Sequence, residues 1–304
     1  MRLKWSAQVG SFLELTIAAV FWGFGFVATV WALGTLNPAA ITLYRFLGAA
    51  LLGIPFLWIF SGGWQKNLKL LITELRNSWL AGLLLCGVLL PQTIGLLTTT
   101  PSKSAFLTIL YVAIVPILSA IFLKERLGVR FYFLIPLALT GIALLVNLNL
   151  QQWVVGDSWT LLCSLMASIH IFYLSVQTKK VTSLFYFSIG QNFWTGIFCL
   201  ILLPFGSAFE KGSWNLFDLD PIGVWGMIAL TFGSSFLAFL FQIRAQLTMS
   251  PSVASILFLL ESPFSAFFSF LFLGEHLSQL QLTGGALILL CCVFIKSPTS
   301  KTAH

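Results

Sequence analysis

In the stretch LLESPFSAFFSFLFLGE, residues 259–275, one glutamate stands among leucines and phenylalanines and a second closes the run. Placing an acidic side chain at the centre of a membrane helix costs about 2.5–3.5 kcal/mol, so Glu261 is expected to face a protein interior. Two roles fit it there. It is either a coupling carboxyl that binds a proton in one state and releases it in another, or a protonated structural carboxyl bonded to a neighbouring helix. Gln92 and Gln242 also stand in apolar runs, where an amide either orients a polar solute group or ties helices together, and Gln191 is a further candidate for the solute or coupling site. Histidine titrates near neutral pH, so His170 is a proton relay or a packing residue. Arg45 reads first as a helix anchor that snorkels or pairs with a carboxylate, and second as a solute ligand. Trp22, Tyr111 and Tyr173 are candidate walls or hydrogen-bond partners, set against the packing role that most of the 46 aromatic residues must have.

The elements that position these residues follow from composition. Of the 304 residues 58% are hydrophobic and 8% charged, against about 25% charged in a soluble domain. The chain reads as an all-α integral membrane protein. At about 20 apolar residues per crossing, ten runs are predicted: 12–35, 39–60, 79–97, 104–123, 131–149, 158–178, 182–205, 222–246, 252–273 and 279–296. The first run is too long for a cleaved signal peptide and is expected to remain as a membrane span. Asn37-Pro38, Ser61-Gly62-Gly63 and Thr100-Pro101-Ser102 supply turn chemistry between runs. Cys86, Cys163, Cys199, Cys291 and Cys292 lie inside apolar runs without the spacing of a metal site or disulfide framework.

Lysines and arginines set the orientation. With the N-terminus in the cytoplasm, thirteen fall inside and two, Lys103 and Lys211, outside, while Arg45 belongs to the second span itself. That bias predicts both termini cytoplasmic. The net charge of +7 is therefore topological, and no nucleic-acid partner is expected.

A shift of 150 residues lays QTIGLLTTTPSKSAFLTILY (92–111) over QIRAQLTMSPSVASILFLLE (242–261) without a gap. Gln92 meets Gln242, Pro101-Ser102 meets Pro251-Ser252, and Tyr111 meets Glu261. Further on, Phe122-Leu123, Glu125 and Leu127 meet Phe272-Leu273, Glu275 and Leu277. Five spans per copy is an odd number, so the second copy must be inverted. The predicted architecture is a 5+5 inverted-topology repeat, 12–149 and 150–296, with short cytoplasmic tails at 1–11 and 297–304. Inverted repeats rock about a site near the bilayer midplane, so alternating access is the expected mechanism. Tyr111 is the expected hydrogen-bond partner of Glu261, and Gln191 the counterpart of Arg45.

Phe21-Trp22-Gly23, Leu43-Tyr44-Arg45-Phe46-Leu47, Pro101-Ser102-Lys103-Ser104-Ala105-Phe106, Lys124-Glu125-Arg126-Leu127, Leu260-Glu261 and Leu273-Gly274-Glu275 together resemble the drug/metabolite transporter superfamily, in its EamA-like ten-helix form. The resemblance runs from about residue 12 to 296. It implies a multi-pass transporter of the plasma or bacterial inner membrane that moves a small metabolite, such as an amino acid, a related metabolite or a drug-like solute, with export the expected direction. It also implies a cavity lined by the first, third, fourth, sixth, eighth and ninth spans. One departure is that Ser262 separates Glu261 from Pro263, where such proteins commonly carry Glu-Pro.

Other classes are weighed against this. An intramembrane enzyme would need a nucleophile–base set, a metal cluster or a phosphate loop, and the sequence has none of the corresponding motifs. A passive channel also needs polar residues along an axis and stays as the alternative. No cofactor is expected, and no connector is long enough for a nucleotide-binding domain. The partners expected are the solute, the lipid bilayer and protons as coupling ion.

Overall fold

A computed structural model describes residues 2–60, 63–125, 128–146, 153–202, 212–276 and 278–294. Lys211, Arg126, Lys296, Lys301, the tail from 297 and the predicted boundary at 149/150 lie outside the described residues. Helices run in the order α1 (Arg2–Leu33), α2 (Pro38–Leu52), α3 (Phe56–Ile59), α4 (Gly63–Gly95), α5 (Pro101–Thr108), α6 (Tyr111–Phe122) and α7 (Val129–Val146). They continue with α8 (Val155–Gln177), α9 (Leu184–Leu202), α10 (Pro221–Ile228), α11 (Ala238–Gln246), α12 (Pro251–Leu257), α13 (Glu261–Leu273) and α14 (Gln279–Phe294). A π-helical segment, Ala229–Leu237, joins α10 to α11, and a 3-10 turn, Phe258–Leu260, joins α12 to α13.

Four helices start by one local device: a capping side chain followed by proline. Asn37, Thr100, Asp220 and Ser250 each accept a backbone N–H at the start of α2, α5, α10 and α12, and Pro38, Pro101, Pro221 and Pro251 follow. The side-chain oxygen satisfies one orphan donor, and proline loses nothing where its N–H would be orphaned anyway.

Among the described residues, eight helical stretches are long and apolar enough to cross a membrane. Two shorter apolar helices, Phe131–Leu144 and Gln279–Phe294, pack together, and Cys291 Sγ lies 3.5 Å from Leu134 O. The third stretch corrects the sequence reading, which began at 79: α4 starts at Gly63. Its polar residues are not loop. Asn67 Nδ2 donates to Leu57 O and Phe60 O, at 2.9 and 3.1 Å. Glu74 Oε1 accepts from Thr182 N and Ser183 N, at 2.7 and 3.1 Å, and so caps the start of α9. All five cysteines are free and buried.

Two ion pairs tie charged residues of different helices together among the described residues. Lys103 Nζ meets Asp157 Oδ2 at 2.6 Å, and Arg244 Nη2 meets Glu14 Oε1 at 2.8 Å. Two further carboxylates reach across to the starts of other helices: Ser102 Oγ donates to Glu275, and Ser252 Oγ donates to Glu125 Oε2 at 2.8 Å. Each carboxylate thus lies by the positive end of a helix dipole, α5 for Glu275 and α12 for Glu125.

Candidate functional site

Between these helices lies a cavity lined by both polar and aromatic side chains. α1 reaches it with Trp22, Gly25, Phe26 and Thr29, and α4 with Gln92 above an apolar wall of Leu85, Val88 and Leu89. The approach of α1 to α13 depends on Gly23, where a Cβ would fall 2.6 Å from Phe264 Cβ. Trp22 is then held in place: its Nε1 donates to Ser234 O at 3.2 Å, and its ring meets Phe239 and Phe258 with centroids 5.3 Å away in both cases.

Two broken stretches set the polar centre. Between α5 and α6 the chain gives Thr108 and Tyr111, and between α12 and α13 it gives Phe258 and Glu261. Tyr111 is the first residue of α6 and Glu261 the first of α13. From α8 comes His170, whose Nε2 donates to Gln191 Oε1 at 3.2 Å. The π-helical segment and α11 add Ser234, Phe239 and Gln242.

The hydrogen bonds leave several groups open. Gln92 Nε2 donates to Thr108 Oγ1 at 3.2 Å. Tyr111 Oη and Gln242 Oε1 are buried without a hydrogen-bond partner among the described residues. Glu261, 7% exposed, makes no hydrogen bond or ion pair among the described residues. The expected bond between Tyr111 and Glu261 is therefore not made: both face the cavity, each with its polar end free. Leaving a buried polar group unsatisfied costs about 1–3 kcal/mol, so these polar ends favour a polar partner in the cavity.

Arg45 also lines the cavity and corrects its first reading as a snorkelling or carboxylate-paired anchor. It is 3% exposed. Its Nε donates to Ser235 Oγ at 2.8 Å, and its guanidinium carbon lies 5.0 Å from the Phe46 ring centroid. No carboxylate pairs with it among the described residues. Two other predicted residues do not line the cavity. Gln191 stands behind His170, and Tyr173 packs in a separate apolar cluster with Leu174, Phe187 and Ile243.

Sequence reasoning passed over Thr29, Thr108, Ser234 and the supporting pair Ser235 and Asn192. Asn192 Nδ2 donates to Ser235 O at 3.2 Å. A signal was present in Gly233-Ser234-Ser235, three small residues within an apolar run, and in Thr108, three residues before Tyr111 and so on the same helical side.

Membrane-length helices gathered around a cavity with a buried carboxyl, a guanidinium and unbonded polar atoms define a multi-pass membrane protein with an internal polar chamber. The chain belongs to the EamA-like transporter family, whose model matches residues 11–147 and again 154–297. It is thus a membrane transporter of the drug/metabolite transporter superfamily. Over 285 residues it is 26% identical to an uncharacterized transporter of Archaeoglobus fulgidus, covering 93% of this chain and 84% of that one. It also shares its fold with a protein of known crystal structure, at TM-score 0.72 and 18% identity, covering 95% of this chain and 96% of the other.

Proposed function

We propose that the protein is a secondary transporter that exports a small metabolite across the plasma membrane by alternating access, with Glu261 as its coupling carboxyl. The observation that carries this reading is the unbonded carboxyl of Glu261 in a cavity that also holds Tyr111, each opening the second half of a broken span. Broken helices at a site between two repeats are the usual architecture of such carriers. The reading takes the chain as ten spans in two inverted copies, 12–149 and 150–296, with both ends cytoplasmic. The register supports it: Thr100 and Ser250 cap equivalent helices, and the Ser102–Glu275 and Ser252–Glu125 bonds exchange under the same 150-residue shift.

Burial disfavours the charged form of a carboxyl, so a carboxyl wetted in one access state and dry in the other changes its proton affinity between them. The titratable and charged groups that share the cavity with Glu261 are Tyr111, His170 and Arg45, and Cys163 lies near it. No chemical step is part of this reading.

The test uses protein in sealed proteoliposomes and a solute identified by a thermal-shift screen of amino acids, aromatic metabolites and cationic compounds. Glu261→Gln keeps shape and hydrogen bonding but cannot titrate. Accumulation driven by a pH gradient should be lost while exchange down a solute gradient persists. Uphill transport with the wild-type pH profile would show Glu261 to be structural. A wild-type protein that never accumulates solute against a gradient would instead be a passive channel.

A further inference from the structure

We infer that Arg45 is the specificity residue of the cavity, and that the solute class it selects is an organic monoanion: a carboxylate with an apolar body. This inference rests on the reading of the cavity as the solute site. The geometry begins with an unbalanced charge. Lys103 and Arg244 each meet a carboxylate, whereas Arg45, more deeply buried than either, meets none among the described residues. A buried charge without a partner is costly, and an arginine does not escape that cost by losing its proton. Glu261 lines the same cavity yet forms no ion pair with it. The missing counter-charge is one that arrives with the solute.

The guanidinium is set for that task. Ser235 Oγ holds Nε, and the Phe46 ring lies under the guanidinium, so its plane is fixed while neither Nη has a protein partner among the described residues. Two parallel N–H donors match the two oxygens of a carboxylate. Ser235 is itself positioned twice over, since Asn192 Nδ2 donates to its carbonyl within the π-helical segment Ala229–Leu237. Segments of that kind recur at functional sites. Tyr111 Oη and Gln242 Oε1, both buried in the same lining and without a hydrogen-bond partner among the described residues, are a second sign that the cavity takes a polar guest. One guanidinium and one carboxyl in the same lining suit a single negative charge better than a phosphate dianion. Trp22, Phe26, Phe239 and Phe258 form walls for the apolar remainder.

The test is a matched panel applied to the full chain in lipid nanodiscs: 3-phenylpropionate and acetate, the corresponding amides, and phenethylamine, each read by thermal shift and by titration. The carboxylates should stabilise the wild type and the amides and amine should not, with 3-phenylpropionate ahead of acetate. Arg45→Gln should weaken 3-phenylpropionate binding by about 10- to 100-fold and leave the amide unchanged. Arg45→Lys retains the charge and serves if the first variant fails to fold; it should bind the carboxylate more weakly than wild type because the two-pronged geometry is lost. Equal binding of acid and amide, preference for phenethylamine, or no response to any carboxylate overturns the inference. Transport of a neutral or cationic solute in proteoliposomes would remove this inference while leaving the transporter reading in place. Carboxylate binding without any flux would do the reverse.

Discussion

Asp157 shows how much one buried side chain in the first turn of α8 can hold. Its carboxylate accepts from Thr99 Oγ1 at 2.7 Å, from Val154 N at 2.9 Å and from Lys103 Nζ at 2.6 Å, and its own side chain is fully buried. Asp157→Asn keeps the shape but loses the charge assistance, so unfolding in detergent should become easier by about 1–3 kcal/mol; an unchanged midpoint would show the pair to be passive. Glu275, beyond the end of α13, behaves differently. Burial pushes its carboxyl above the ordinary range, and the bond from Ser102 pulls it only partly back. Its folded form therefore holds a proton more tightly than its unfolded form, and stability falls as pH rises from the ordinary glutamate value, about 4.3. Glu275→Gln has no such loss, so its stability relative to wild type should grow as pH rises above about 4. A pH-independent difference in thermal midpoint would contradict this. Glu261 was legible from sequence because its cost in an apolar run holds whatever the fold. The setting of Arg45 was not, because Ser235 is 190 residues away.

At the scale of the element, the helix starts are written locally. Asn37 Oδ1 accepts from Ala40 N at 2.7 Å and is buried, so Asn37→Ala should destabilise the protein by about 0.5–2 kcal/mol, measured by thermal unfolding. Helix ends carry a matched pair as well. Lys124 follows α6 at φ 52°, and Gly274 follows α13 at φ 68°. Nothing lies near a Cβ added at Gly274, so the cost of Gly274→Ala is purely conformational, about 1 kcal/mol; no loss would mean that the turn relaxes. The spans themselves were legible to within a few residues wherever apolar runs met a cap and a proline. The first turns of α4, about four at 3.6 residues each, were not, because Asn67 and Glu74 look like loop residues until their partners on α3 and before α9 are seen. The π-helical segment left no mark that periodicity detects, since one extra residue per turn shows only in the hydrogen bonds.

For the whole molecule, the lysine and arginine bias carries a prediction about topology. With the five buried cysteines replaced, a cysteine at position 304 should react with an impermeant maleimide only after permeabilisation, and one at Lys103 should react in intact cells. Labelling of the C-terminal position in intact cells would invert the assignment. The sequence by itself determined that the chain crosses a membrane repeatedly, where most of its helices start and stop, and that a polar set centred on Glu261 must face inward. These depend on local costs: an apolar run, a cap, a proline, a charge that lipid will not accept. Only the tertiary structure decided which of those polar residues share a cavity, that Tyr111 and Glu261 stay unbonded, that Tyr173 and Gln191 stand outside the lining, and that Arg45 is buried without a carboxylate. Those facts depend on the distances between helices far apart in the chain, and no local term in the sequence contains them.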